Sequence, residues 1–300
     1  MLSQATPHHL DLQAALQHLV SSGGKRVRPA VALLTGEMLA GDEARVITLA
    51  AAIEMLHTAT LVHDDLIDGS LLRRGIPTIN AQWSPGATVL TGDFIFAAAA
   101  KLAAETDSVS VMRLFAETLA VIVNGEITQM FASHGVADRQ NYYQRIYAKT
   151  ASMFVLATGA AAFLSPADEV TARAVRTYGY EIGMAFQVVD DILDFVGHQS
   201  AVGKPVGSDL RQGLVTLPAI YYAEAHPDDP NMQRVLQGEF DGPHIDRLVE
   251  AVRNSEAVVQ SVQEARDFVE RGVAALDGLP DGRARDALVE LAYYIVERNL

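Results

Sequence analysis

A long apolar stretch, Ile53 to Val62, runs directly into three carboxylates within Leu61-Val62-His63-Asp64-Asp65-Leu66-Ile67-Asp68. The pattern returns at Val188-Val189-Asp190-Asp191-Ile192-Leu193-Asp194. An apolar run of this kind has to be buried, and its acidic end has to reach water or a counter-ion, so each copy places one helix end at a polar boundary. On a helix, Asp64 and Asp68 share a face, with Asp65 about 100° round. A lone Asp-x-x-x-Asp is most often a solvated helix edge, and carboxylates near a helix C-terminus oppose the macrodipole. Two copies with one spacing point instead to two halves of one site. Six ionised carboxylates in one cleft repel one another, each pair costing roughly 4 kcal/mol at ~4 Å and an effective dielectric of ~20. A hard divalent cation removes that cost. Oxygen-only ligands favour Mg²⁺, which keeps waters and binds substrate phosphates as well.

Apolar residues recur at helical spacing nearly everywhere else. The segments are Leu10 to Val20, Pro29 to about Leu39, Asp42 or Glu43 to near Asp68, Ala87 to Ala104, Ser108 to about Ser133, Asn141 to Leu164 and Pro166 to Phe195. Five more follow: Thr216 to Ala225, Met232 to Gln237, Ile245 to Arg253, Ser255 to Leu276 and Arg283 to Asn299. Polar, glycine-containing connections span Gly69 to Thr78 and Gly197 to Gly213. No stretch alternates with period two between hairpin turns. The expectation is an all-α protein in which residues 1–300 form a single domain. With 49% hydrophobic and 20% charged residues the chain is rich enough in apolar side chains for a sizeable core.

Absent residues narrow the chemistry further. There is no cysteine, hence no disulfide, thiolate metal site or cysteine nucleophile, which fits a cytoplasmic location. The net charge of −14, without a basic stripe, disfavours nucleic acid. The N-terminal residues lack a secretory pattern, and Met153 to Leu164 is too short to span a bilayer, so no transmembrane segment is expected.

Cations alternate along the chain with the acidic motifs. Lys25, Arg26 and Arg28 lie in Gly23-Gly24-Lys25-Arg26-Val27-Arg28-Pro29, Arg73 and Arg74 follow the first aspartate triplet, and Lys204 follows the second. Lys149-Thr150 falls on a helix, and Gln187 stands three residues before Asp190, on its face. His57, seven residues before Asp64, shares that helical face. Singly, each cation reads as a surface charge. Together with acid-bound Mg²⁺ they suit a site that holds two phosphate esters at once, because arginine offers a planar fork and lysine a point charge to phosphate oxygens.

These motifs, in this order, resemble the trans-type polyprenyl diphosphate synthases, above all the medium- and long-chain ones. The residues that carry the resemblance are Gly23 to Pro29, Leu61 to Asp68 with Arg73-Arg74-Gly75, Lys149-Thr150-Ala151, Phe186 to Asp194, and Gly203-Lys204-Pro205-Val206-Gly207-Ser208-Asp209-Leu210. The resemblance implies an antiparallel helical bundle around a deep central cavity, the isoprenoid synthase fold. It implies head-to-tail 1'-4 condensation of isopentenyl diphosphate onto an allylic prenyl diphosphate. Asp64, Asp68 and Asp190 would ligate Mg²⁺, supported by Asp65, Asp191 and Asp194. Arg73, Lys149 and Lys204 would hold the allylic diphosphate, and Lys25, Arg28, His57 and Arg74 would hold isopentenyl diphosphate. Thr150 and Gln187 would line the reacting carbon, where their dipoles stabilise an allylic cation in an apolar cavity. These motifs offer no strong protein base, which leaves the released pyrophosphate to take the proton.

Under Asp64 the first wall met by a growing tail would be Ala59 and Thr60, with Leu56 a turn deeper. None is aromatic. In the family a bulky residue at that depth stops the chain early, so the expected product is about C30 to C40 rather than C15 to C20. The family also implies a dimer, here either a homodimer or a pair with a second synthase subunit. Two other readings share part of the pattern. A class I terpene cyclase has no need of Lys25, Arg28 and Arg74, and a regulatory subunit has no need of two intact triplets.

Overall fold

In a computed structural model of the chain, the residues described are 10–21, 23–73, 75–131, 135, 137–197 and 206–297. They are helical almost throughout. The first half comprises α1 (Leu10–Ser21), α2 (Val27–Met38), α3 (Glu43–Ile67), β1 (Leu72–Arg73), β2 (Ile76–Pro77), α4 (Ile79–Gln82), α5 (Pro85–Ala104) and α6 (Val109–Phe131). Next come α7 (Arg139–Ile146), a π-helical turn (Tyr147–Ala151), α8 (Ser152–Phe163) and α9 (Glu169–Val196). The remainder is α10 (Ser208–Arg211), α11 (Leu217–Ala225), α12 (Pro230–Leu236), α13 (Pro243–Arg253), α14 (Glu256–Ala274) and α15 (Arg283–Glu297).

Local chemistry sets many of the boundaries. Asp42 caps α3 by accepting the Arg45 N–H at 3.0 Å, and Asp138 caps α7 by accepting that of Asn141 at 2.9 Å. Ser84 caps α5, with Pro85 at its first position. Such caps satisfy backbone donors that a helix start leaves without a partner, and proline at the first position gives up no intrahelical bond.

The chain divides into two compact units. The first comprises residues 1–117, 156–173 and 280–285. Its centre is α3, packed against α2 and α5. Leu49, Ile53, Leu56 and Val62 of α3 and Ile95 and Ala99 of α5 are buried there. The second unit comprises residues 118–155, 174–279 and 286–300. Its core includes Phe154, Tyr178, Val188, Ile192 and Phe195. Within it the Tyr178 hydroxyl donates to the Leu288 carbonyl at 2.7 Å. Tyr143 and Tyr221 both donate to Glu264, fastening α7 and α11 to α14.

Four expectations need correction. The connection after the first triplet carries a short antiparallel hairpin, with Leu72 opposite Pro77 and Arg73 opposite Ile76, which is too short to show as alternation. The helix expected from Asn141 to Leu164 is interrupted by the π-turn, where the Ser152 N–H reaches back to the Tyr147 carbonyl. The connection after the second triplet holds α10. Finally, among the described residues three helical stretches, the last taken through the π-turn, are long and apolar enough to cross a membrane by length and composition: Glu43–Ile67, Pro85–Ala104 and Arg139–Phe163. The sequence reading missed them because scattered polar residues interrupt each run. Their apolar windows are 56%, 39% and 78% buried inside the protein, so much of that surface is spent on packing.

Candidate active site

The first unit carries Asp64, Asp65 and Asp68 at the end of α3, and the three are not equivalent. Asp65 is buried and bound by Arg73, whose Nε donates to Oδ1 and Oδ2 at 2.9 and 3.1 Å and whose Nη2 donates to Oδ1 at 2.7 Å. The hairpin places Arg73 there. Asp64 is half-buried and Asp68 is exposed at the helix C-cap.

The cations named for isopentenyl diphosphate divide in the same unit. Arg28 Nη1 lies 3.3 Å from His57 Nε2, so α2 and α3 bring those two together. Lys25 is exposed just before α2. Arg26, in the left-handed region at the α2 N-cap, pairs with Glu54. Arg74 and Lys204 lie outside the described residues. Among the residues named for the product wall, Leu56 and Ala59 are fully buried, whereas Thr60 is half-buried and donates to the His57 carbonyl at 2.8 Å. Thr60 is also the one about 40° from Asp64 around the helix, against about 140° for Ala59. Thr60 therefore lies on the face of Asp64, while Ala59 is buried on another face.

The second unit gathers more of the predicted residues. Lys149 and Thr150 sit in the π-turn, a distortion that widens a helix locally and is frequent at functional sites. Two glycines let neighbouring helices close on it. A Cβ on Gly125 of α6 would meet Ala148 Cβ at 2.5 Å, and one on Gly183 of α9 would meet Ala151 Cα at 2.5 Å. That approach brings Lys149 Nζ to 3.2 Å from Glu126. It also lets Thr150 Oγ1 donate to Gln187 Oε1 at 2.6 Å. Gln187 Nε2 in turn donates to Asp191 Oδ1 at 2.7 Å, and the Tyr142 hydroxyl donates to Oδ2 at 2.8 Å.

Asp191 is buried, and burial with the nearby charge of Asp209 pushes its pKa up to about 8, against the lowering pull of Gln187 and Tyr142. Burial, then Asp191 itself, holds the Tyr142 hydroxyl well above the usual phenol range, so it stays protonated. Asp194 accepts from Ser208 N–H at 3.1 Å, Ser208 Oγ at 2.7 Å and Asp209 N–H at 3.1 Å. It therefore anchors the start of α10. Asp190 is half-buried.

Asp65, Asp191 and Asp194, the three named in support of the metal ligands, are each held by protein donors. No group of three or more His, Asp or Glu among the described residues encloses an ion by itself. Asp64 and Asp68 in the first unit and Asp190 in the second each offer ligand atoms of the kind that Mg²⁺ takes. These are hard carboxylate oxygens, few in number, and Mg²⁺ takes its other ligands from water and phosphate. Glu54, Glu126, Tyr142 and Ser208 escaped sequence reasoning. Ser208 stood within a quoted motif without a role, whereas the other three lie outside every motif and meet the site through tertiary contact.

Comparison with known proteins adds to the geometry. The sequence model of the family described as Polyprenyl synthetase matches residues 9–252. Heptaprenyl diphosphate synthase component 2 of Bacillus subtilis is 35% identical over 289 residues, covering 96% of this chain and 83% of the relative. Octaprenyl diphosphate synthase of Haemophilus influenzae is 35% identical over 286 residues, covering 94% and 87%. The crystal structure of a polyprenyl synthase from Caulobacter crescentus, complexed with calcium and isoprenyl diphosphate, superposes with a TM-score of 0.92 at 35% identity, covering 100% and 92%.

Proposed function

Because this chain belongs to the polyprenyl synthetase family and is a trans-polyprenyl diphosphate synthase, we propose that it extends an allylic diphosphate with isopentenyl diphosphate to a product of about C30 to C40. The observation that carries the reading is the network on the π-turn. It joins the threonine to the glutamine near the C-terminal end of α9, with the neighbouring lysine held by Glu126.

We assign Asp64, Asp68 and Asp190 to Mg²⁺, which when bound supplies positive charge to the departing diphosphate. Arg73, steadied by Asp65, turns its remaining donors to the allylic diphosphate, joined by Lys149 and Lys204. Lys25, Arg28, His57 and Arg74 hold isopentenyl diphosphate. Thr150 and Gln187 border the reacting carbon and present fixed dipoles to the cation that forms as the C–O bond breaks. Asp191 and Asp194 act through their neighbours. We read residues 1–300 as one catalytic domain, supported by α6 and α9, each of which runs unbroken through residues of both compact units.

Product length rests on Thr60, a small residue on the face of Asp64, and on the heptaprenyl and octaprenyl names of the relatives. The absence of cysteine is in keeping with the cytoplasm, and assembly with a second subunit is supported by an apolar face on α6. Val123, Ile127, Met130 and Phe131 fall at helical spacing there, and Phe131 is 85% exposed. The name "component 2" of one relative makes a heteromeric partner the alternative to a second copy.

One experiment tests the whole. Purified chain is incubated with Mg²⁺, isopentenyl diphosphate and a C10, C15 or C20 primer, and the dephosphorylated alcohols are sized. A ladder ending near C30 to C40 is expected. If no primer is elongated, alone or with a candidate second subunit, the proposal fails.

A further inference from the structure

Three hydrogen bonds in the second unit run in one direction. Thr150 donates to Gln187 Oε1, Gln187 Nε2 donates to Asp191 Oδ1, and Tyr142, on α7, donates to Asp191 Oδ2. A carboxamide fits a site in either of two orientations, and its partners decide between them. Here the decision starts at Tyr142. Its buried hydroxyl donates to Oδ2 and so holds the carboxylate with Oδ1 turned to Gln187. Oδ1 accepts, and only the amide NH₂ of Gln187 can face it. Gln187 Oε1 must then face Thr150, whose hydroxyl hydrogen is spent on that bond. What Thr150 has left for the reacting carbon is its oxygen lone pairs, the negative end of the dipole. Were the amide reversed, its NH₂ would donate to Thr150, and the hydroxyl hydrogen would turn toward a developing positive charge.

We propose that Tyr142 is a positioning residue for allylic ionisation: by holding Asp191 it fixes the carboxamide of Gln187, and so the sign of the dipole that Thr150 offers to the cation. The proposal rests on the reading that Thr150 borders the reacting carbon. It concerns a residue outside every sequence motif, and no atom of Tyr142 needs to touch substrate.

The test is a double-mutant cycle on the full chain, read as the single-turnover rate of one condensation and as KM for both diphosphates. Tyr142→Phe removes only the hydroxyl. The ring also lines a cavity of about 550 Å³, and phenylalanine keeps that wall. The expected result is a rate lower by about tenfold with both KM values within about twofold of the parent, as for an interaction felt mainly in the transition state. On a Thr150→Val background, and again on Gln187→Met, the same change should alter the rate by less than about twofold, because its route of action is gone. An equal tenfold loss on those backgrounds, or a rise in KM at unchanged rate, overturns the proposal. So does a Tyr142→Phe protein as fast as the parent. Should Tyr142→Phe be too unstable to assay, Asp191→Leu, which keeps the shape and removes both acceptors, reads the same coupling: its effect must likewise vanish on Thr150→Val, and independence there rejects the proposal. Failure of the wider functional reading looks different, since the unaltered chain would then not condense the substrates at all.

Discussion

Gly183→Ala probes the packing that holds the π-turn. A Cβ at that position lies 2.5 Å from Ala151 Cα, 2.8 Å from its Cβ and 3.2 Å from its carbonyl oxygen. Carbon atoms pack comfortably at about 3.5 to 4.0 Å, so α9 and the π-turn must part by roughly 1 Å. The obstacle is backbone, and no rotamer can yield. Overpacking of this kind costs about 1 to 3 kcal/mol. Alanine is favoured over glycine inside a helix by about 1 kcal/mol, which offsets part of that. The expected net loss is about 1 kcal/mol, measured as a lower urea midpoint at unchanged slope. Activity should suffer more. Thr150 is next to Ala151, and its bond to Gln187, four residues along α9 from Gly183, starts at 2.6 Å. Lengthened by roughly 1 Å it ceases to be a hydrogen bond, and displacements of that size at a reacting centre cost about 10²-fold in rate. Should Gly183→Ala be about 1 kcal/mol more stable than the parent and equally fast, helix propensity would have won and the close-approach argument would be wrong.

Further outcomes follow from other parts of the structure. Thr60→Tyr places a ring on the face of Asp64 and should shift the sized alcohols toward C15 to C20, while an unchanged distribution would remove Thr60 as the wall. Asp194→Ala takes away acceptors for two backbone N–H groups and one hydroxyl. Loss of a cap of this kind costs about 1 to 2 kcal/mol, to be seen as faster amide exchange over residues 206–212, and unaltered exchange would contradict the anchoring role. Asp191, with its pKa raised to about 8, binds a proton in the folded state that the unfolded chain has lost above about pH 4. Stability measured in metal chelator should therefore fall as pH rises from about 4 to about 8 and then level off, and Asp191→Asn should flatten that slope. A slope equally steep in the variant would assign it to other groups. Phe131→Glu should lower the assembly state in light scattering, whereas an unchanged mass would leave the α6 face without a role in assembly.

The helical class, most helix positions and the two acidic helix ends were legible in the sequence, because each depends on neighbours within a few residues. Apolar spacing marks a buried helix face, Asp42 caps α3 from three residues away, and an i, i+4 pair of aspartates shares a face wherever the helix lies. The motif order was equally local, and it named the chemistry before any contact was known. Tertiary structure decided the partners of Asp65, Asp191 and Asp194. Arg73 reaches Asp65 only through a hairpin of two-residue strands, and Tyr142 reaches Asp191 across 49 positions of chain. It also decided the π-turn, which no residue pattern announces because two glycines on other helices, Gly125 and Gly183, crowd it from outside. Hydrogen bonds between distant side chains depend on how helices pack, and packing is settled by the sum of many contacts, so the family resemblance pointed to Thr150 and Gln187 while the fold brought the two into a hydrogen bond.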